Sequence, residues 1–177
     1  MSDYPDTVVV AQGVIMTFQD QIRTVTVSGR IGESLSVPAH WHEKHDEVIC
    51  VLEGQLSVTI GSEAKIYTPE TGDAYIPKGV VHSIRSLEGI PCVYTEKTNP
   101  AHEKEFDAKE LFFRNAFSRP RGGLLSVMQI FYHGDMFPVF PVVHSMWMEK
   151  AFVTLLGGYI APCLGYRLKY TKLKKMD

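Results

Sequence analysis

Cysteine is scarce. The 177 residues hold three, Cys50, Cys92 and Cys163, spaced far apart and never as a Cys-x-x-Cys pair. An odd, scattered set excludes a disulfide framework and points to a reducing compartment. A dominant charge is missing too: 18 basic and 20 acidic residues give a formal charge of -2 and a pI of about 6.4. This excludes nucleic acid as the main partner, because neutralising phosphates takes clustered Lys and Arg. No uncharged run reaches the roughly twenty residues that span a bilayer. The opening Met1-Ser2-Asp3-Tyr4-Pro5-Asp6 carries acids where a signal peptide carries bases. The expectation is a cytoplasmic protein without membrane association. Internal repeats and low-complexity stretches are also absent.

What is present suits a folded globule. Hydrophobic residues make up 45% of the chain and the mean hydropathy is -0.05, enough for a real core. The length fits one domain with an appendage. From Thr7 to about Thr98 the pattern is strand-like. Val8-Val9-Val10, Val14-Ile15-Met16, Val25-Thr26-Val27, Val48 to Leu52 and Leu56 to Ile60 are short β-rich runs, punctuated by Gly13, Gly29, Gly32, Gly54, Gly61, Gly72, Gly79 and Gly89. Such spacing predicts a sandwich or barrel over residues 1–98.

Asn99-Pro100 marks a change of pattern. Phe106, Phe113, Ala116 and Phe117 share a helical face. Pro120 and Gly122-Gly123 then break the chain. Leu124, Val127, Met128 and Phe131 repeat at helical spacing, with Gly134 as the stop. Val142 to Leu156 reads as a third helix. From Gly157 onward, Gly157, Gly158, Pro162 and Gly165 disfavour helix. Arg167, Lys169, Lys172, Lys174 and Lys175 give a basic, solvated end. Residues 99–177 are thus a helical extension, expected to pack on the barrel, close one mouth or form a dimer contact. His133 and His144 in this half read as ordinary packing residues.

The chemistry-bearing residues are in the first half. In His40-Trp41-His42 the imidazoles share one strand face, rooted about 7 Å apart at a rise of roughly 3.4 Å per residue. Glu47 heads an apolar strand, where a buried carboxylate needs a partner or a metal. Pro77 and Gly79 form a tight turn that delivers His82 to the next strand. Strand alternation puts Ile49 and Val51 on the side of Glu47, and Ile84 and Ser86 on that of His82. With Tyr75 and Tyr94, these are the candidate substrate contacts; Arg23 and Phe18 are weaker ones. His45 is a candidate acid–base residue beside Glu47, and Asp46 an alternative to Glu47 as ligand.

His40, His42, Glu47 and Gly54 match the first motif of the cupin family, G-x5-H-x-H-x3,4-E-x6-G. Pro77, Gly79 and His82 match the second, G-x5-P-x-G-x2-H-x3-N. The chain departs from these motifs at Ser34, where Gly32 lies two residues early, at Gly72, one residue too close to Pro77, and at Ser86, which replaces the final Asn. None of these is a ligand position in the family. The resemblance covers about Val25 to Thr95. It implies a double-stranded β-helix, or jelly-roll barrel, with His40, His42, Glu47 and His82 around one divalent transition metal: Fe, Zn, Mn, Ni or Cu. In layout the chain also resembles small cupins with a C-terminal helical extension, including fungal ones of secondary metabolism.

Three functions follow from that resemblance. The first is a metal-dependent lyase or isomerase acting on a polyketide-like or aromatic small molecule, with Glu47 or His45 as proton carrier. The second is an O2-dependent dioxygenase of the quercetin-cleaving type. The third is a non-catalytic binding module. The ligands alone do not separate the first two; the overall layout favours the first. A homodimer is expected.

Overall fold

The computed structural model describes residues 5–19, 22–99, 103–118 and 123–172, with backbone alone for 103–107. Met1 to Tyr4, the side chain of Phe106, the chain break at Pro120 and Gly122, and the basic residues Lys174 and Lys175 therefore lie outside the described residues or side chains.

Among the described residues, eleven strands form two antiparallel sheets. In chain order they are β1 (Thr7–Ala11), β2 (Val14–Gln19), β3 (Ile22–Val27), β4 (Ser36–Trp41), β5 (Asp46–Gly54), β6 (Leu56–Ile60), β7 (Glu63–Tyr67), β8 (Ala74–Ile76), β9 (His82–Ser86), β10 (Cys92–Asn99) and β11 (Phe137–Pro138). One sheet has the order β1-β2-β3-β10-β5-β8, the other β11-β4-β9-β6-β7. Side chains alternate as the pleat demands. In β5, Glu47, Ile49 and Val51 turn inward; in β9, His82, Ile84 and Ser86 do; in β10, Cys92, Tyr94, Glu96 and Thr98. The core between the sheets holds Val14, Val25, Val27, Ile49, Leu56, Val58 and Ile76, all essentially without exposure. This is the mainly β jelly-roll barrel with a helical extension.

The glycines that punctuate the strand runs, Gly13 through Gly89, all take positive φ, where a side chain is disfavoured. Gly54 also needs the space: a Cβ there would meet the Pro91 carbonyl oxygen at 1.9 Å.

The extension holds α1 (Glu103–Phe117), α2 (Leu124–His133) and α3 (Met146–Val153). Gly134 ends α2, as the sequence predicts. Two features differ from expectation. First, the extension adds a strand to the barrel, because β11 pairs with β4 through Phe137–Trp41 and Pro138–His40. Second, the helix begun by α3 does not stop before Gly157. It continues as a π-helical segment, Thr154–Ile160, into a last turn, Ala161–Cys163.

Low helix propensity misleads here because the glycines serve packing. A Cβ on Gly157 would stand 2.1 Å from the Met128 carbonyl oxygen, and one on Gly158 would stand 2.9 Å from the Tyr132 ring. Both glycines let the helix lie against α2. Gly157→Ala is therefore expected to cost about 1–3 kcal/mol, as overpacking does, read as a lower urea midpoint with unchanged slope.

The end of the chain is also less free than its basic residues suggest. Tyr170 is buried and exchanges two hydrogen bonds with the Asn115 side chain, at 3.0 and 2.9 Å. Trp147, Leu155, Tyr159 and Leu164 remain exposed on the extension. Among the described residues, no helix is long and apolar enough to cross a membrane.

Candidate metal centre

Three backbone features gather the four ligand candidates. An irregularity between Val37 and His40 in the β4–β9 pairing breaks the alternation of β4. As a result both His40 and Trp41 are buried: His40 pairs across to His82, while Trp41 stacks on Phe137 of β11. Glu47 enters from the start of β5. The turn before β9 is hooked to the first motif, since the Gly79 N–H donates to the His42 carbonyl at 2.6 Å. Asp46 fixes the same turn by accepting from the Lys78 N–H at 2.9 Å and from the Tyr75 hydroxyl. That role excludes the alternative of Asp46 as a ligand.

Ligand atoms of His40, His42, Glu47 and His82 all lie within 4.8 Å of one another, and all four residues are buried. Each imidazole Nδ1 faces a backbone carbonyl: Pro38 for His40 at 2.8 Å, Asp135 for His42 at 2.7 Å and Val80 for His82 at 3.0 Å. A carbonyl only accepts, so each Nδ1 carries the hydrogen and each Nε2 presents a lone pair. Two of those nitrogens face Glu47 Oε2, at 3.1 Å from His42 and 3.3 Å from His82. Nitrogen lone pairs opposite a carboxylate oxygen repel unless a proton or a cation lies between them. The His82 Nε2 is buried with no hydrogen-bond partner. Three borderline nitrogens and one oxygen, oriented by outer hydrogen bonds, fit a divalent transition metal.

The protonation states of His40, His42 and Glu47 agree with such a role. Burial, then the His82 and His42 charges, holds His40 well below the ordinary histidine range. Burial and Lys109 bring His42 down to about 3. For Glu47, burial pushes upward, but the adjacent His42 and His82 imidazoles outweigh it and hold the carboxyl well below the ordinary range. Burial pushes His82 down, and the Glu47 carboxylate beside it outweighs this and raises it, so an ion there takes the place of a proton.

The cluster opens into a cavity of about 300 Å³. Aliphatic residues of the barrel and Phe112, Phe113 and Phe117 of α1 make most of its wall, so the extension closes this mouth. Among the candidate substrate contacts, Ile84 and Tyr94 border the cavity. Ile49 and Val51 belong to the core instead, and Ser86 Oγ accepts from the Leu35 N–H at 2.8 Å. Tyr75 is 49% exposed on the outer face, where strand parity sends it. Arg23 is fully buried behind Glu96, at 3.4 Å, and Phe18 lies under the Arg114 guanidinium.

His45 is not in the cavity. It stacks behind His42 with ring centroids 4.5 Å apart, and its Nδ1 lies 3.1 Å from Asp135 Oδ2. Asp135, at φ 52°, also accepts from the Lys44 N–H at 2.9 Å. It thus ties the loop after β4 to the end of α2 and aims His42. His144 is bound to Glu149, away from the metal cluster.

Two charged cavity residues go beyond the sequence-based set. Glu96 follows Tyr94 on the inward face of β10, a signal visible in strand alternation. Burial, with the Glu47 charge, raises its carboxyl to about 7. Lys109 comes from α1, on the same helical face as Phe113 and Ala116. Burial lowers its ammonium to about 8, against the pull of Glu47 and Glu96, so it stays largely protonated at pH 7.

Residues 30–96 match the family described as Cupin domain. No curated protein matches the chain. Among solved structures, KdgF from Halomonas sp. is 19% identical, with 58% of this chain and 93% of that one covered at a TM-score of 0.43. An RmlC-like cupin from Shewanella frigidimarina is 16% identical, covering 58% and 90% at 0.41. Oxalate decarboxylase from Lactobacillus farciminis is 18% identical, covering 54% and 31% at 0.40. Similarities of this size carry no activity over to this chain. The family match falls on the segment that bears His40, His42, Glu47 and His82, so that residues 30–96 read as a cupin domain.

Proposed function

We propose that the chain is a metal-dependent enzyme that carries out a non-redox lyase or isomerase reaction on a hydrophobic, polyketide-like or aromatic small molecule. The observation that supports this is the apolar cavity of about 300 Å³, whose charged groups gather at the metal cluster, Glu96 and Lys109. A pocket of this kind buries an aromatic body and orients one polar end.

His40, His42, Glu47 and His82 would hold the ion, whose chemistry there is Lewis-acid polarisation of a carbonyl or enolate oxygen. Glu96 carries the proton. Its carboxyl borders the cavity and exchanges near neutral pH, as a general base should. Arg23, paired across the strands at 3.4 Å, holds it from behind. Glu47 is a poor base because two imidazoles engage the same oxygen, and His45 is walled off by His42. The phenylalanines of α1 exclude water from the reacting carbon.

Exchange of the acidic C–H of an aryl β-diketone with deuterated solvent, followed by NMR with an oxygen electrode in parallel, tests the reading. Exchange is expected without O2 uptake, rising with pH through about 7. Glu96→Gln should slow it roughly 10²–10⁴-fold at unchanged metal content. Oxygen consumed in step with turnover would contradict the proposal and favour a dioxygenase.

A further inference from the structure

We propose that Lys109 is an anion-binding residue of the cavity, and that the site takes an apolar ligand bearing one anionic oxygen: a carboxylate, phenolate or enolate. This deepens, and rests on, the reading of the cavity as a substrate site.

Lys109 is 3% exposed and lines the metal-side cavity as well as a smaller one of about 170 Å³ behind His42. An ammonium has three N–H donors and no acceptor of its own. Among the described residues, the one group within bonding distance of Nζ is His42 Nδ1, at 3.2 Å. That nitrogen already donates its hydrogen to the Asp135 carbonyl at 2.7 Å, so it has no lone pair to offer. No carboxylate of the described residues comes within the 4.0 Å of an ion pair with Lys109. Glu47, Glu96 and Asp135 act on it from farther away, and each is engaged elsewhere, with the imidazoles, with Arg23 and with His45.

A buried ammonium without acceptors is costly. The neighbouring wall, Phe112 and Phe113, supplies ring faces and no oxygen; the Phe112 ring centroid is 5.4 Å from Nζ. A ligand oxygen is what this donor lacks.

The test is calorimetric titration with 2-naphthoate and its neutral counterpart 2-naphthamide. It uses wild type, Lys109→Met and Lys109→Arg, each zinc-loaded and after chelation. Wild type is expected to bind the carboxylate at least about tenfold more tightly than the amide, the effect of one charge-assisted hydrogen bond. The preference should vanish in Lys109→Met, persist in Lys109→Arg and appear in both metal states. Equal affinities in the wild type would overturn the proposal without any variant. A preference that needs zinc and survives Lys109→Met would assign the anion to the metal, overturning the role of Lys109 while leaving the proposed function intact. Binding of neither compound would overturn the cavity as a ligand site, and both readings with it.

Discussion

His82→Ala should weaken divalent-metal binding by about 100-fold or more and remove most of the stabilisation that zinc gives the wild type. Loss of an outer hydrogen-bonding partner alone costs about 10–100-fold in metal affinity. His82 offers a ligand atom itself, so its loss should cost at least the upper end. Its Nε2 is buried, partnerless and 3.3 Å from Glu47 Oε2, which makes it the nitrogen with most to gain from an ion. At a zinc concentration of about 100 times Kd, binding adds about 2.7 kcal/mol to folding. For a chain of this size that is a rise in Tm of roughly 5–11 °C. Differential scanning calorimetry with and without zinc should show the rise in the wild type and no more than about 1–2 °C in His82→Ala. A rise of similar size in the variant would mean that the ion binds elsewhere, for instance at the second cluster of His42, His45 and Asp135.

Glu149→Ala should be among the most destabilising single changes outside the barrel core. Glu149 is fully buried on α3 and gathers donors from β4 and from the loop between β11 and α3. Oε2 accepts from Trp41 Nε1 at 2.8 Å; Oε1 accepts from the Phe140 N–H at 2.9 Å and His144 Nδ1 at 3.0 Å. These bonds fasten the extension to β4 at the residue between His40 and His42. Removing the carboxylate strands at least two buried donors, each costing about 1–3 kcal/mol. A total of about 3 kcal/mol corresponds to a fall in Tm of roughly 6–12 °C.

Glu149 also predicts a pH dependence. Burial pushes its carboxyl up, but the bonds from His144, Phe140 and Trp41 outweigh burial and hold it below the ordinary value. A depressed carboxyl contributes stability above its unfolded value, and that contribution is lost as pH falls through the folded value. Urea midpoints of the wild type should therefore drop in acid, and those of Glu149→Ala should drop less. Parallel acid profiles would show that the carboxylate is not charged in the folded chain.

The barrel and the clustering of His40, His42, Glu47 and His82 were legible in the sequence because both follow from period-two patterning and tight turns. Glu47, Ile49 and Val51 fall on one face by alternation alone, and Gly79 marks the positive-φ turn that presents His82. Tyr75 was misplaced because β8 is only three residues long and its parity is weakly set by sequence. Ile49 and Val51 were placed on the correct face but lie below the cavity, since a face shared with a ligand does not make a residue a neighbour of the ligand's free side. The extension was harder. Gly157 and Gly158 read as helix breakers, whereas their role depends on α2, a partner that local sequence does not reveal. Asp135 left no pattern at all: its function lies in a backbone carbonyl and an unusual φ. Lys109 and Glu96 show the intermediate case. Each sits at a position whose face could be read, but the cavity between them exists only once α1 closes over the barrel.

The most direct test of the account is the metal content of the chain purified without oxygen or chelators, measured beside His40→Ala/His82→Ala. The account predicts about one divalent transition-metal ion per wild-type chain and almost none in the double variant. A wild-type chain that stays metal-free when offered Fe, Mn, Ni, Cu and Zn would contradict it, as would equal metal content in the two proteins.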